Sequence, residues 1–222
     1  MATQNNLPEL IYCDERLLVA NKPAGLLCVP GRGADKQDCL SARIQREFPD
    51  ALIVHRLDMA TSGLVIFARG VAMQRRLSEM FRERIVTKRY VAVVTGKLEP
   101  ESGEINLPIG ADWADRPLRR IDAELGKPSL TRYRVLEYGS SVHPSIHQGE
   151  RGFDNTRVEL EPVTGRTHQL RVHMAAMGHS ILGDALYGDA ASAPRLLLHA
   201  LSLSFPHPVS NMPLRLECPA SF

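Results

Sequence analysis

Long apolar runs are missing from this sequence. No stretch approaches the roughly 18 residues that a membrane-spanning helix needs. The opening residues, MATQNNLPEL, lack a basic segment followed by an apolar run, so no secretory signal is expected. Cysteine is scarce and scattered: Cys13, Cys28, Cys39 and Cys218 form no C-x-x-C pair, which argues against a zinc site and a disulfide framework. Reduced thiols in a cytoplasmic protein with no membrane association are the expectation. The stretch GLLCVPGRG lacks the Gly-Lys-Ser/Thr ending of a P-loop, and no G-x-S-x-G elbow occurs. His168 and His173 would stand about 140° apart on a helix, a poor metal pair, so each reads as a hydrogen-bonded structural histidine. ATP chemistry, serine hydrolysis and metal hydrolysis are thereby disfavoured, and no metal is expected. Charge of one sign is not in excess either: 27 Lys and Arg against 25 Asp and Glu leave a net charge of +2.

What is present is ordinary globular material, 222 residues at 44% hydrophobic and 23% charged. That length allows one large domain or two sub-lobes sharing a sheet. LIYCDERLLVANKPAGL reads as a hairpin, Leu10–Cys13 and Leu17–Asn21 around the turn DER, stopped by Pro23 and Gly25. CLSARIQREF spaces Leu40, Ile44 and Phe48 as a helix does. ALIVHRLD and SGLVIFA are β-rich runs of buried strands. VAMQRRLSEMFRERI carries Met73, Leu77, Met80, Phe81 and Ile85 on one helical face. RYVAVVTGKL is a strand closed by Gly96, TRYRVLEY alternates as a half-buried strand, and RVELEPVTG is another. Gly139–Asn155 is polar and reads as a long exposed loop. THQLRVHMAAMGH predicts a helix with Leu170, Met174 and Met177 on one side, Thr167 as N-cap and Gly178 as stop. RLLLHALSLSF and PLRLECP close the chain as strands. Strands outnumber helices without regular alternation, which predicts an α+β fold with a mixed, largely antiparallel central sheet flanked by helices and loops.

Two basic runs stand out. Arg75, Arg76, Arg82, Arg84, Lys88 and Arg89 face only Glu79 and Glu83, and DRPLRR holds Arg116, Arg119 and Arg120. One such run is usually a solvated helix face. Two in a chain near neutrality point to an anionic partner.

The nine residues HRLDMATSG, His55 to Gly63, set Arg56 and Asp58 between two apolar runs. Burial disfavours a charged carboxylate unless a cation stands by. Arg56 and Arg166, the latter in VTGRTHQLR just before a helix, are the candidates. A buried structural ion pair, or a turn cap through Thr61 and Ser62, is the commoner role for such a carboxylate.

The motif HRLDMATSGLVIFAR resembles the signature H-R-L-D-x-x-T-S-G of the RluA-type pseudouridine synthases. LLVANKPAGLLCVPG, KRYVAVVTG, TGRTHQLRVHMAAMGHSILGD and RLLLHA resemble further motifs of that family in the family's order, from about Leu10 to the end. The resemblance implies a single catalytic domain over residues 1–222, in two sub-lobes sharing a sheet, with a central RNA-binding cleft and no S4-type RNA-binding domain. A cytoplasmic, monomeric enzyme is the expectation. Short family members without an S4 domain modify 23S rRNA and the first anticodon-loop uridine of certain tRNAs, which makes both RNAs the expected partners.

The implied reaction breaks the bond from C1′ to N1 of uracil, turns the base and rejoins it through C5. Nothing is oxidised or added, so no cofactor is required. The resemblance assigns the essential carboxylate to Asp58, with attack on the sugar, abstraction of a sugar proton and attack on the base all left open. It gives Arg166 as the cation that keeps Asp58 ionised. Arg56 fills the gap left when the target uridine is turned out of the RNA. Tyr90 matches the family tyrosine, whose ring can stack on uracil and whose hydroxyl is a candidate for the C5 proton, although a phenol is a weak base near neutral pH. Arg76 and Arg120 represent the two basic runs as RNA contacts. His55, Thr61, Ser62 and Gly63 read as scaffold. Two alternatives stand beside this reading. A catalytically inactive RNA-binding module would keep the basic face and tolerate loss of Asp58. A glycoside hydrolase normally needs two cooperating carboxylates, and only one is well placed.

Overall fold

The computed structural model of the chain describes residues 7–139 and 155–222. The polar stretch Gly139–Asn155 therefore lies outside the described residues except for its two ends. The chain divides into two compact units, Met1–Thr87 with Ala200–Pro219 and Lys88–His199 with Ala220–Phe222.

The first unit opens with the expected hairpin, β1 (Leu10–Cys13) antiparallel to β2 (Leu17–Lys22). Asp14 makes the turn: its Oδ1 accepts from the N–H groups of Arg16 and Leu17 at 2.7 and 2.9 Å, the local bonding that a short carboxylate side chain favours. Helix α1 (Leu40–Glu47) buries Leu40 and Ile44. Strand β3 (Ala51–Ile53) is shorter and less buried than ALIVHRLD suggests, because the Ile53 carbonyl accepts from the Gln74 side chain at 2.8 Å and the chain then leaves the sheet. Strand β4 (Ser62–Arg69) is buried over all but its last residue and lies beside β2 in the order β1-β2-β4, with β3 also pairing to it.

Helix α2 (Val71–Arg82) shows why the apolar spacing mattered. Met73, Leu77 and Met80 pack with Leu17, Val19, Leu64, Ile66 and Ala68, the residues on one face of β2 and β4. Phe81 joins this cluster from its edge, whereas Ile85, expected on the same face, lies beyond the helix end and is exposed. Leu77 is fully buried there, and cutting it to alanine would cost about 2–5 kcal/mol.

In the second unit, β5 (Thr87–Thr95), β6 (Ser102–Asn106), β9 (Leu130–Tyr138) and β10 (Asn155–Pro162) pair antiparallel in the order β5-β10-β9-β6, while β7 (Ile109–Ala111) and β8 (Arg119–Ile121) form a separate ribbon. Helix α3 (Gln169–Ala176) follows β10. The last strands, β11 (Leu198–Pro206) and β12 (Pro213–Glu217), are antiparallel, and β11 starts three residues later than RLLLHALSLSF suggests. The architecture is α+β with few helices and a mixed, largely antiparallel sheet, as the sequence predicts. Among the described residues no helix is long and apolar enough to cross a membrane.

Candidate active site

Residues 54–61 join β3 to β4 and form a loop held from several sides. Leu57 is buried, and its N–H donates to the Cys28 thiol sulfur at 3.2 Å. His55 stacks on the Phe81 ring of α2 with centroids 4.5 Å apart, and its Nε2 accepts from the N–H of Ile66 at 3.0 Å. The Thr61 N–H donates to the Asp58 carbonyl at 3.1 Å and closes the turn. The Met59 carbonyl accepts from the Gly25 N–H at 2.8 Å and from the Lys22 ammonium at 3.0 Å. These contacts turn Leu57 inward, leave Arg56 exposed and hold Asp58 half-buried on the same short segment. Gly63 follows at a φ of +108°, and a Cβ there would stand 2.4 Å from the Ala200 carbonyl oxygen, so only glycine allows this approach.

Lys22 is the group that sequence reasoning missed. It is fully buried at the end of β2, and its Nζ donates to the carbonyls of Pro23 and Leu26, both at 2.8 Å, as well as to Met59. Burial pulls its pKa down to about 8, against the opposing influence of the Cys28 thiol and the Asp58 carboxylate. Burial likewise pushes the Cys28 thiol up. The Asp58 carboxylate of the same unit thus favours the charged form of Lys22. The sequence signal was a lysine ending an apolar strand, LLVANK, where a snorkelling surface lysine is the usual outcome.

Tyr90 and Arg166 lie in the second unit. Tyr90 is half-buried on β5, opposite Leu160 of β10. Arg166 is exposed in the turn between β10 and α3, where its Nε donates to the Pro128 carbonyl at 3.3 Å. That turn corrects one expectation. Thr167 does not cap α3; the N-cap is His168, left-handed at a φ of 58° with no capping side-chain bond. The buried Gln169 amide does the organising instead. Its Oε1 accepts from the Arg166 N–H at 3.0 Å and the Thr164 hydroxyl at 2.7 Å, and its Nε2 donates to the Leu130 carbonyl and Thr131 Oγ1. A fully satisfied amide of this kind fixes the backbone on both sides of it. Below it, Arg171 and Asp184 form a bidentate ion pair at 2.6 and 2.8 Å, almost wholly buried. His173 is buried too, with Nδ1 against Thr131 Oγ1 and Nε2 against the Leu107 carbonyl. Among the described residues no three His, Cys, Asp or Glu side chains are grouped as a metal site.

The basic runs divide on inspection. Arg89 pairs with Glu159 and Glu161, and Arg82 with Glu79 at 2.6 Å, while burial lowers the proton affinity of Lys88. Arg75 and Arg76 project from α2 and make no ion pair among the described residues. Arg120 is exposed on β8, 3.9 Å from the Asp122 carboxylate.

Comparison with known proteins places the chain in one family. The family model for RNA pseudouridylate synthase matches residues 16–176. The chain is 46% identical over 217 residues to the dual-specificity RNA pseudouridine synthase RluA of Escherichia coli strain K12, covering 96% of this chain and 93% of that one. It is 45% identical over 216 residues to the protein of the same name from Yersinia pestis, covering 96% and 99%. Among solved structures, human RNA pseudouridylate synthase domain containing 1 superposes with a TM-score of 0.79 at 30% identity, over 100% of this chain and 87% of that one.

Proposed function

The chain belongs to the RNA pseudouridylate synthase family and isomerises uridine to pseudouridine in RNA, and on that premise we propose that it acts on both 23S rRNA and the first anticodon-loop uridine of certain tRNAs, in the cytoplasm. The dual specificity carried in the names of its relatives supports the pair of substrates. An inactive RNA-binding module is the disfavoured reading.

The observation that carries the assignment of residues is the loop itself: Arg56 exposed and Asp58 half-buried, two residues apart on a segment held by Lys22, Cys28, Ile66 and Phe81. In this reading Asp58 is the essential carboxylate, acting on the extruded nucleotide. A rigid loop matters because a reacting group must be held to a fraction of an ångström. Arg56 enters the RNA and takes the place of the flipped base, whose extrusion costs a few kcal/mol. Arg166, set by Gln169, supplies the cation that keeps Asp58 ionised, and Tyr90 stacks on the uracil and is the candidate for receiving the C5 proton. Arg76 and Arg120 hold phosphates.

The test is to incubate the protein with an unmodified anticodon stem-loop and with a 23S rRNA fragment and to map pseudouridine in each. Asp58→Asn keeps the shape and loses the anionic chemistry, so it should abolish isomerisation and leave RNA affinity largely intact. Turnover by that variant within tenfold of wild type would remove Asp58 from the chemistry.

A further inference from the structure

The sequence holds one tryptophan, Trp113, and the fold does not bury it. Tryptophan carries the largest apolar surface of any side chain and ordinarily supplies core or interface area. Trp113 instead stands 73% exposed in the turn between β7 and β8, with the Arg116 guanidinium 4.1 Å from its ring centroid. A ring with a cation over one face can be that exposed only if its other face is open.

The segment under it is well fixed. The Asp112 N–H donates to the Leu118 carbonyl at 3.1 Å, and the Leu118 N–H donates to the Asp115 carbonyl at 2.8 Å, closing the turn from within. The base of the ribbon is tied down by Tyr187: its hydroxyl oxygen accepts from the Arg119 N–H at 2.8 Å and lies 2.7 Å from His168 Nδ1, beside the Arg166 turn. Asp112 and Asp122 direct their carboxylates at N–H groups of their own turns. The exposed guanidiniums of Arg116, over the Trp113 ring, and Arg120, 3.9 Å from the Asp122 carboxylate, are cations of the ribbon's outer surface.

We propose that Trp113, backed by Arg116, is a stacking platform for an unpaired base of the RNA substrate. An ordered aromatic with one open face, next to guanidiniums that suit phosphates, is how proteins hold single-stranded bases without reading their sequence. This rests on the chain acting on RNA. The platform adds affinity for RNA whose loop bases are unstacked and adds nothing for a continuous duplex.

The single tryptophan makes the experiment direct. Wild-type protein is titrated with a stem-loop RNA carrying unpaired loop uridines and with a blunt duplex of the same stem, following tryptophan fluorescence. The stem-loop should quench it and the duplex should not. Trp113→Ala should bind the stem-loop about five- to one-hundredfold more weakly, with Trp113→Phe recovering most of that loss and duplex affinity unchanged throughout. Fluorescence that stays constant at saturating stem-loop, or an equal loss on both RNAs, would overturn the platform. Pseudouridine mapping on the same wild-type preparation keeps the outcomes apart: a preparation that modifies RNA with silent Trp113 fluorescence sinks the platform alone, and one that neither binds nor modifies RNA sinks the enzymatic reading and the platform together.

Discussion

Replacing Lys22 by methionine tests the least obvious part of the site. The ammonium is fully buried and bonded to three carbonyls, and burial brings its pKa from 10.5 to about 8. In the unfolded chain the lysine regains its ordinary value. Between pH 8 and pH 10.5 the unfolded chain therefore holds a proton that the folded protein has released, so folding stability rises with pH across that window. At pH 7 holding the charge in the fold costs about 3 kcal/mol relative to water, and from pH 8 to pH 9.5 about 1.5 kcal/mol of that is recovered. Lys22→Met cannot titrate. It leaves the Pro23 and Leu26 carbonyls without their donor, at about 1–3 kcal/mol each, while the Met59 carbonyl keeps the Gly25 N–H, and it avoids the charge burial, so the net loss near neutrality is at most about 3 kcal/mol. Urea unfolding of both proteins at pH 8 and pH 9.5 isolates the titration, because the many groups common to both cancel in the difference. The stability gap in favour of wild type should widen by about 1.5 kcal/mol at the higher pH. A gap that does not change would show that Lys22 keeps its ordinary proton affinity in the fold and would refute the burial argument. Since the Met59 carbonyl next to Asp58 is one of the three acceptors, the variant should also turn over more slowly at any pH where it is folded.

Arg56→Ala should slow single-turnover isomerisation on a structured stem-loop more than on an RNA whose target uridine is already unstacked, by about five- to one-hundredfold, the extrusion cost expressed as a rate; equal losses on both RNAs would return Arg56 to a structural ion pair. Arg76→Ala and Arg120→Ala should each lower the slope of log K against log salt by on the order of 0.7 to 0.9, as the loss of one phosphate contact does, and unchanged slopes for both would make these arginines plain solvated surface.

Much of the fold was legible because its periodicities are strong. Met73, Leu77 and Met80 repeat at helical spacing and are the residues buried in α2. The run Leu64–Ala68 is apolar throughout and forms a strand with no exposed face. The short strands β6, β7 and β8 were not legible. SGEIN, IGA and RRI carry no alternation, and they are strands because partners pair with them, as Ile105 does with Thr131 and Gly110 with Arg120. The start of α3 escaped for a related reason: Thr167 has the right chemistry for a cap, but the buried amide of Gln169, two residues on, already satisfies the neighbouring groups.

By itself the sequence determined the chemistry-bearing loop, since Arg56 and Asp58 interrupt two apolar runs and nothing but a loop or a costly burial accommodates them. It determined the family as well, through ordered motifs spanning nearly the whole chain. Only the tertiary structure decided how that loop is held and what surrounds its carboxylate. Lys22 and Asp58 are far apart along the chain, and their charges interact because β2 pairs with β4 and brings Lys22 opposite Gly63. The depressed proton affinity of Lys22 comes from desolvation, a property of the packed surroundings that no residue carries on its own. The same holds for Trp113, whose identity is in the sequence but whose exposure depends on a ribbon anchored by Tyr187, 68 residues further along the chain from Arg119.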